Sequence, residues 1–218
     1  MMTEMFSAVR RSTLGIGVFA IVTAGVIAVT QLATKERIAA NIAEAEAKAL
    51  YQIVPPSVDD QLHEHRLPFH APELELDNAA HAWQAIVDGQ VSTVIMPVVA
   101  PDGYSGGIRL LVGINRDETV AGVRVLAHKE TPGLGDKIEP SKSDWLNGFV
   151  GKTMSGPGDD SWAVKKDGGQ FDQFTGATIT PRAVVNATGR AIQYFRAHKA
   201  RLLTPVTEQT GQPEGASQ

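Results

Sequence analysis

Residues 172–178 read Asp-Gln-Phe-Thr-Gly-Ala-Thr, and Thr178 at their end carries the hydroxyl best placed to do chemistry. Gly176 and Ala177 leave the backbone beside it uncovered, so a large group can approach that oxygen or be attached to it. Ile179-Thr180-Pro181 follows and predicts a helix start, with Thr180 as N-cap and Pro181 in the first helical position. A hydroxyl just ahead of a helix N-terminus lies where free amides and the helix dipole favour phosphate. A phosphoester on Thr178 would therefore be electrostatically compatible with its surroundings. The same residues also fit an ordinary turn, in which Thr175 and Thr178 bond their own backbone.

A second block, His128-Lys-Glu-Thr-Pro-Gly-Leu-Gly135, is rich in residues that shape a loop around something. Its plain reading is a turn, with Gly133 or Gly135 supplying a positive φ. Other patterns are weaker. Gly103-Tyr104-Ser105-Gly106-Gly107 satisfies G-x-S-x-G, but a hydrolase nucleophile elbow needs a helix after the serine, and a strand is expected there. His63, His65 and His70 match no zinc spacing and read as solvated loop residues. The sequon Asn186-Ala-Thr188 falls inside an expected helix, and Lys165-Lys166-Asp167 reads as solvated surface.

The elements that must position these residues can be read from periodicity. The segment 91–100 (VSTVIMPVVA) is β-branched and apolar, Pro101-Asp102-Gly103 makes a turn, and 108–114 and 119–127 give two further strands. Short turns between them predict an antiparallel meander. Ser143–Val150 predicts a short helix, and Trp162–Lys165 a short strand leading into the Thr178 segment. After Thr178, the residues Val184, Val185, Thr188, Ile192 and Phe195 share one helical face. The fold class expected is α+β, an antiparallel sheet with flanking helices.

Ahead of this domain, no charged residue occurs from Ser12 to Thr34. That length is enough to cross a hydrocarbon core of about 30 Å. A cleaved signal peptide competes with this reading, but the long apolar run and the lack of a small-x-small site favour a retained anchor. Arg10 and Arg11 precede the span, and Lys35 and Arg37 follow it, so charge does not decide the orientation. Residues 35–53 repeat apolar positions at helical spacing until Pro55-Pro56, and 55–78 read as loop. The chain thus divides into a tail (1–11), a membrane helix (12–34), a helical stalk and connecting loop (35–78), a folded domain (79–203) and a tail without fixed structure (204–218).

Composition narrows the function classes. The formal net charge of −4 offers no basic stripe for nucleic acid. The absence of cysteine excludes disulfide scaffolds, cysteine-ligated metals and clusters, and a cysteinyl flavin bond.

The 172–178 heptapeptide resembles the flavinylation motif of the FMN-binding domain of Rnf-type and Na+-pumping NADH:quinone reductase complexes. In that pattern, Asp-Gly-x-(Ser/Thr)-Gly-Ala-(Thr/Ser), the last residue carries FMN through a phosphoester bond. Gln173 stands where the pattern has glycine. The Glu130–Gly135 block, about 40 residues upstream, is similar to the family's flavin-facing loop. The resemblance covers roughly residues 85–200. It implies covalent FMN on Thr178, with Thr175, Gly176, Ala177, Glu130, Thr131, Gly133, Leu134 and Gly135 around it. It also implies recognition by a separate flavin transferase at Asp172, partner subunits in a membrane complex, and a domain facing the periplasm. The expected function is electron transfer by the RnfG-like, FMN-binding component of an Rnf-type ion-translocating complex. The homologous FMN-binding component of the Na+-pumping reductase, a non-redox assembly protein without flavin and, more distantly, a hydrolase built on Ser105 are the alternatives.

Overall fold

The computed structural model describes residues 2–76 and 78–206, omitting the side chains of residues 2–9 and 12. It divides into a unit spanning Met1–Ala45 and a second spanning Glu46–Gln218. The first unit belongs to one helix, α1 (Met2–Ile53). Within α1 the apolar side chains from Leu14 to Leu32 stand exposed, and Thr13–Ile53 contains a stretch long and apolar enough to cross a membrane. The helix ends where Pro55 and Pro56 withdraw two backbone donors.

The second unit is built on a five-stranded antiparallel sheet, β1 (Arg66–Phe69), β2 (Ala80–Val87), β3 (Gln90–Ala100), β4 (Ile108–Asn115) and β5 (Val120–Ala127), whose spatial order follows the chain. Three of these strands match the expected segments. β1 lies inside the stretch read as loop, and β2 was not anticipated. β1 is a short edge strand whose Pro68 hides its pattern, while its burial alternates residue by residue. Asp88 and Gly89 join β2 to β3, both with positive φ, as a type I′ hairpin turn requires.

Both faces of the sheet are buried, and the two-residue period of the strands assigns each side chain to one of them. Val94, Met96 and Val98 of β3, with Leu110, Val112 and Ile114 of β4, join the larger core under α2 (Ile179–Ala197). Ile95 and Leu111 point the other way, with Trp83 and Ala85, onto Leu50, Ile53 and Val54 at the end of α1 and onto Leu62. Close approach there depends on two glycines. Gly113 and Gly122 face each other across β4 and β5. A Cβ on Gly113 would collide with Ile53 Cγ2, and one on Gly122 would touch it at 3.4 Å. Burying Leu50 and Ile53 stabilises this layer by about 1.5–3 kcal/mol each.

Between β5 and α2 the chain carries little regular structure. Trp145–Phe149 forms a 3-10 helix where a short helix was expected. Trp162–Lys165 is not a strand: Val164 makes one isolated bridge to Phe171, and Lys165–Asp167 turns as a 3-10 helix ending on Gly168 with φ 90°. Aromatic rings hold this region instead. Phe149 stacks on Phe171 at 4.4 Å between centroids, and Trp162 meets Phe171 edge-on at 4.9 Å. After α2, a short helix α3 (Lys199–Leu202) leads to Thr204 and Val206. Buried Gln84 donates to the carbonyls of Leu202 and Thr204 and accepts from the Val206 amide, so the domain extends past Leu203. Residues 207–218 of the expected tail lie outside the described residues.

Candidate functional site

The Thr178 segment is anchored by aromatic side chains and presents its polar residues outward. Phe171 and Phe174 are buried, and Trp145 meets Phe174 edge-on at 5.1 Å while its Nε1–H donates to the Asp172 carbonyl at 2.7 Å. Phe174 to Ala177 is a tight turn: the Ala177 amide donates to the Phe174 carbonyl at 3.1 Å, and Gly176 has φ 84°. That positive φ in the third turn position favours glycine. Asp172 lies on the surface, paired with Lys165 at 2.6 Å, and the Gln173 side chain accepts from the Lys166 amide at 3.2 Å.

Helix α2 begins at Ile179, two residues earlier than expected. Thr178 occupies the N-cap position with helical φ and ψ and no side-chain capping bond. Thr180 is therefore not the cap, and Pro181 sits inside the first turn, where its missing amide costs nothing. The Thr180 hydroxyl is engaged elsewhere, donating to Glu130 Oε2. By helix geometry the amides of Ile179 and Thr180 have no intrahelical acceptor.

Glu130 is buried to 4 % exposure and joins three segments. Its Oε1 accepts the Ser105 amide at 3.0 Å from the β3–β4 turn, and its Oε2 accepts from Thr180 on α2. Its own amide donates to His128 Nδ1 at 3.0 Å, and His128 Nε2 contacts Glu139 at 3.0 Å. Gly135 packs directly on this arrangement, since a Cβ there would lie 2.8 Å from both Glu130 Oε2 and Thr180 Oγ1. Gly133 has φ 80° and donates to Asp136 Oδ1 at 2.8 Å.

Together these segments enclose a cavity of about 310 Å³, lined by Tyr104, Glu130, Thr131, Leu134, Gly135 and residues 176–180. The size falls in the range of small-molecule and cofactor sites. Glu130, Thr131, Leu134, Gly135, Gly176, Ala177 and Thr178 thus meet at one place, although the chain separates them into two blocks. Thr175, Gly133 and Asp172 lie outside the lining. All three are exposed, and Gly133 contributes the positive φ of its loop. Tyr104, Ile179 and Thr180 line the cavity without having been singled out for it. Tyr104 offered a signal, an aromatic side chain set among glycines in a turn. Thr180 offered none, because its sequence context reads as a cap.

The remaining motifs do not form sites. Ser105 is followed by β4 rather than a helix, and its amide serves Glu130. His65 is not simply solvated: it contacts Asp59 at 3.0 Å with most of its side chain covered. Among the described residues no His, Asp and Glu grouping suits a metal ion. Thr188 is buried and donates to the Val184 carbonyl.

Two family models match the chain, the FMN-binding domain over residues 103–193 and the RnfG N-terminal region over residues 1–53. The G subunit of the ion-translocating oxidoreductase complex of Pseudomonas aeruginosa strain UCBPP-PA14 is 51% identical over 207 residues, which cover 92% of this chain and 97% of that protein. The chain belongs to the G-subunit family of ion-translocating oxidoreductase complexes. The G subunits of Vibrio cholerae serotype O1 strain M66-2 and Vibrio vulnificus strain YJ016 are 44% and 42% identical, over 91% of this chain and 95% of each relative. As a member of this G-subunit family, the chain carries an FMN-binding domain, and the matched residues include the whole cavity.

The cavity's chemistry fits FMN. Uncovered backbone at Gly176 suits a flat ring, and Tyr104 and Leu134 supply apolar surface. The start of α2 suits a phosphate. Among the described residues the Thr178 hydroxyl makes no hydrogen bond, so it is free at that same point.

Proposed function

We propose that this chain passes electrons through FMN held on Thr178 by a phosphoester bond, as a membrane-anchored component of an Rnf-type ion-translocating complex. The observation that carries this reading is the free Thr178 hydroxyl, on the wall of the cavity and at the N-terminus of α2. Thr175 stands outside the lining, in keeping with a motif that puts the bond on its last residue. When bound, a flavin accepts and releases electrons singly or in pairs. The protein's share is to hold the ring, exclude water and fix its distance from a partner. Leu134, Tyr104 and Ala177 supply apolar walls, and the Ile179 and Thr180 amides, without intrahelical acceptors, would be available to a phosphate on Thr178.

Attachment requires a separate flavin transferase acting on FAD. The Thr178 oxygen displaces AMP from the FMN phosphorus, and the hydroxyl proton leaves to a base of the transferase. Asp172, exposed beside the site, is the residue proposed for recognition by that enzyme. The apolar stretch of α1 is proposed to lie in the inner membrane, with the sheet domain in the periplasm, where a covalent bond prevents loss of the cofactor. Partner subunits of the complex are its electron donor and acceptor.

Coexpression of the full chain with a flavin transferase, followed by denaturing gel electrophoresis, tests the attachment. The protein band is expected to fluoresce, to go dark in Thr178→Ala and to stay bright in Thr175→Ala. A dark wild-type band would remove the redox reading and leave the non-redox assembly protein in its place. A reporter fused after Leu203 is expected to be active only in the periplasm, and cytoplasmic activity would reverse the orientation.

A further inference from the structure

We propose that Glu130 is a positioning residue whose fixed negative charge, held against the flavin cavity, makes a bound flavin harder to reduce. The inference rests on the reading above that FMN occupies this cavity. The carboxylate is a built feature. Both of its oxygens accept hydrogen bonds, from the Ser105 amide and the Thr180 hydroxyl, which is the role an ionised carboxylate offers. Two glycines leave room for it: a Cβ on Gly103 would stand 3.1 Å from Oε1, and one on Gly135 would stand 2.8 Å from Oε2. The group is 4 % exposed and lines the cavity.

A glutamine of the same size could brace the same three segments. Its carbonyl would accept from Ser105, and its amide would donate to the Thr180 oxygen, reversing one hydrogen bond. What glutamate adds is charge. Among the described residues Glu130 forms no ion pair, and a buried charge without a counter-ion is unfavourable unless donors or dipoles offset it. Here one amide, one hydroxyl and the N-terminus of α2 offset it in part. The remaining field falls on the cavity, where it opposes each electron added to the ring, because like charges in a poorly screened interior repel.

The test uses the full chain in detergent, flavinylated by coexpression and titrated with dithionite against redox dyes at pH 8. Flavin is expected on wild type and on Glu130→Gln alike. The variant's midpoint is expected to rise, by about tenfold in the reduction equilibrium or roughly 30 mV for a two-electron couple. An unchanged midpoint with flavin attached overturns the charge assignment. No flavin on wild type overturns the underlying reading, and this inference with it. Thr180→Val supplies a second arm if Glu130→Gln does not fold, since it keeps the charge and removes one donor. Its midpoint is expected to hold or fall, and a rise overturns the proposal. A rise in Glu130→Gln without a rise in Thr180→Val distinguishes charge from lost packing.

Discussion

At the scale of single residues, the site depends as much on missing side chains as on reactive ones. Gly135 lies where a Cβ would press on Glu130 and Thr180 at once, 2.8 Å from an oxygen of each. Neither neighbour can yield, because each oxygen is fixed by the hydrogen bond between them. Gly135→Ala is therefore expected to destabilise the domain by about 1–3 kcal/mol, as overpacking does in a filled interior, and to reduce flavin incorporation. Gly148→Ala is the matched control, since a Cβ there meets nothing within 4 Å and its φ is unexceptional. It is expected to change stability by less than about 0.5 kcal/mol. Urea unfolding followed by tryptophan fluorescence measures both. Equal effects would mean that contact at Gly135 is not the cause.

At the scale of elements, the far end of α2 is fastened by charge. Glu118, at the β4–β5 turn with φ 72°, accepts from Lys199 at 2.8 Å and from Arg196 at 2.6 Å. Arg196 also donates to the Met154 carbonyl and to Thr153. Hydrogen bonds from Lys199 and Arg196 hold the Glu118 carboxyl below its ordinary value of 4.5. A carboxyl whose folded value is depressed contributes stability above its unfolded value, and that stability is lost as pH falls toward the folded value. The contribution is thus complete at neutral pH and fades below about pH 4.5. The pair is partly exposed, so the effect is roughly 1 kcal/mol. Glu118→Gln is expected to lower stability at pH 7 by that amount and to narrow the gap to wild type near pH 3. A constant gap across that window would assign the effect to packing instead.

At the scale of the whole molecule, the end of α1 belongs to the folded domain. Leu50, Ile53 and Val54 cover the sheet face that carries Trp83, Ile95 and Leu111, and no other helix does so among the described residues. A chain beginning at residue 46 is expected to fold, take flavin and remain soluble. One beginning at residue 55 exposes that face and is expected to lose more than about 3 kcal/mol, the worth of two or more buried aliphatic side chains. Thermal melts of the two chains decide this, and equal melting temperatures would mean the second core adds nothing. The full chain is expected to stay with membranes through an alkaline wash that releases the chain beginning at residue 46.

Much of this was legible in the residues themselves. The apolar run from Ser12 to Thr34, the prolines that stop α1 and the β-branched, apolar segments of β3 to β5 between turn residues are local patterns. The heptapeptide at 172–178 and the loop at 130–135 likewise named their own residues. β2 was not anticipated, although Asp88-Gly89 between apolar runs is a hairpin signal. β1 was not legible, since four residues around Pro68 gain strand character only from pairing with β2. Only the tertiary structure could give the Thr180 hydroxyl to Glu130 rather than to its own helix. That outcome depends on a carboxylate 50 residues away in the chain, and no local rule of spacing contains a partner that folding alone brings into reach.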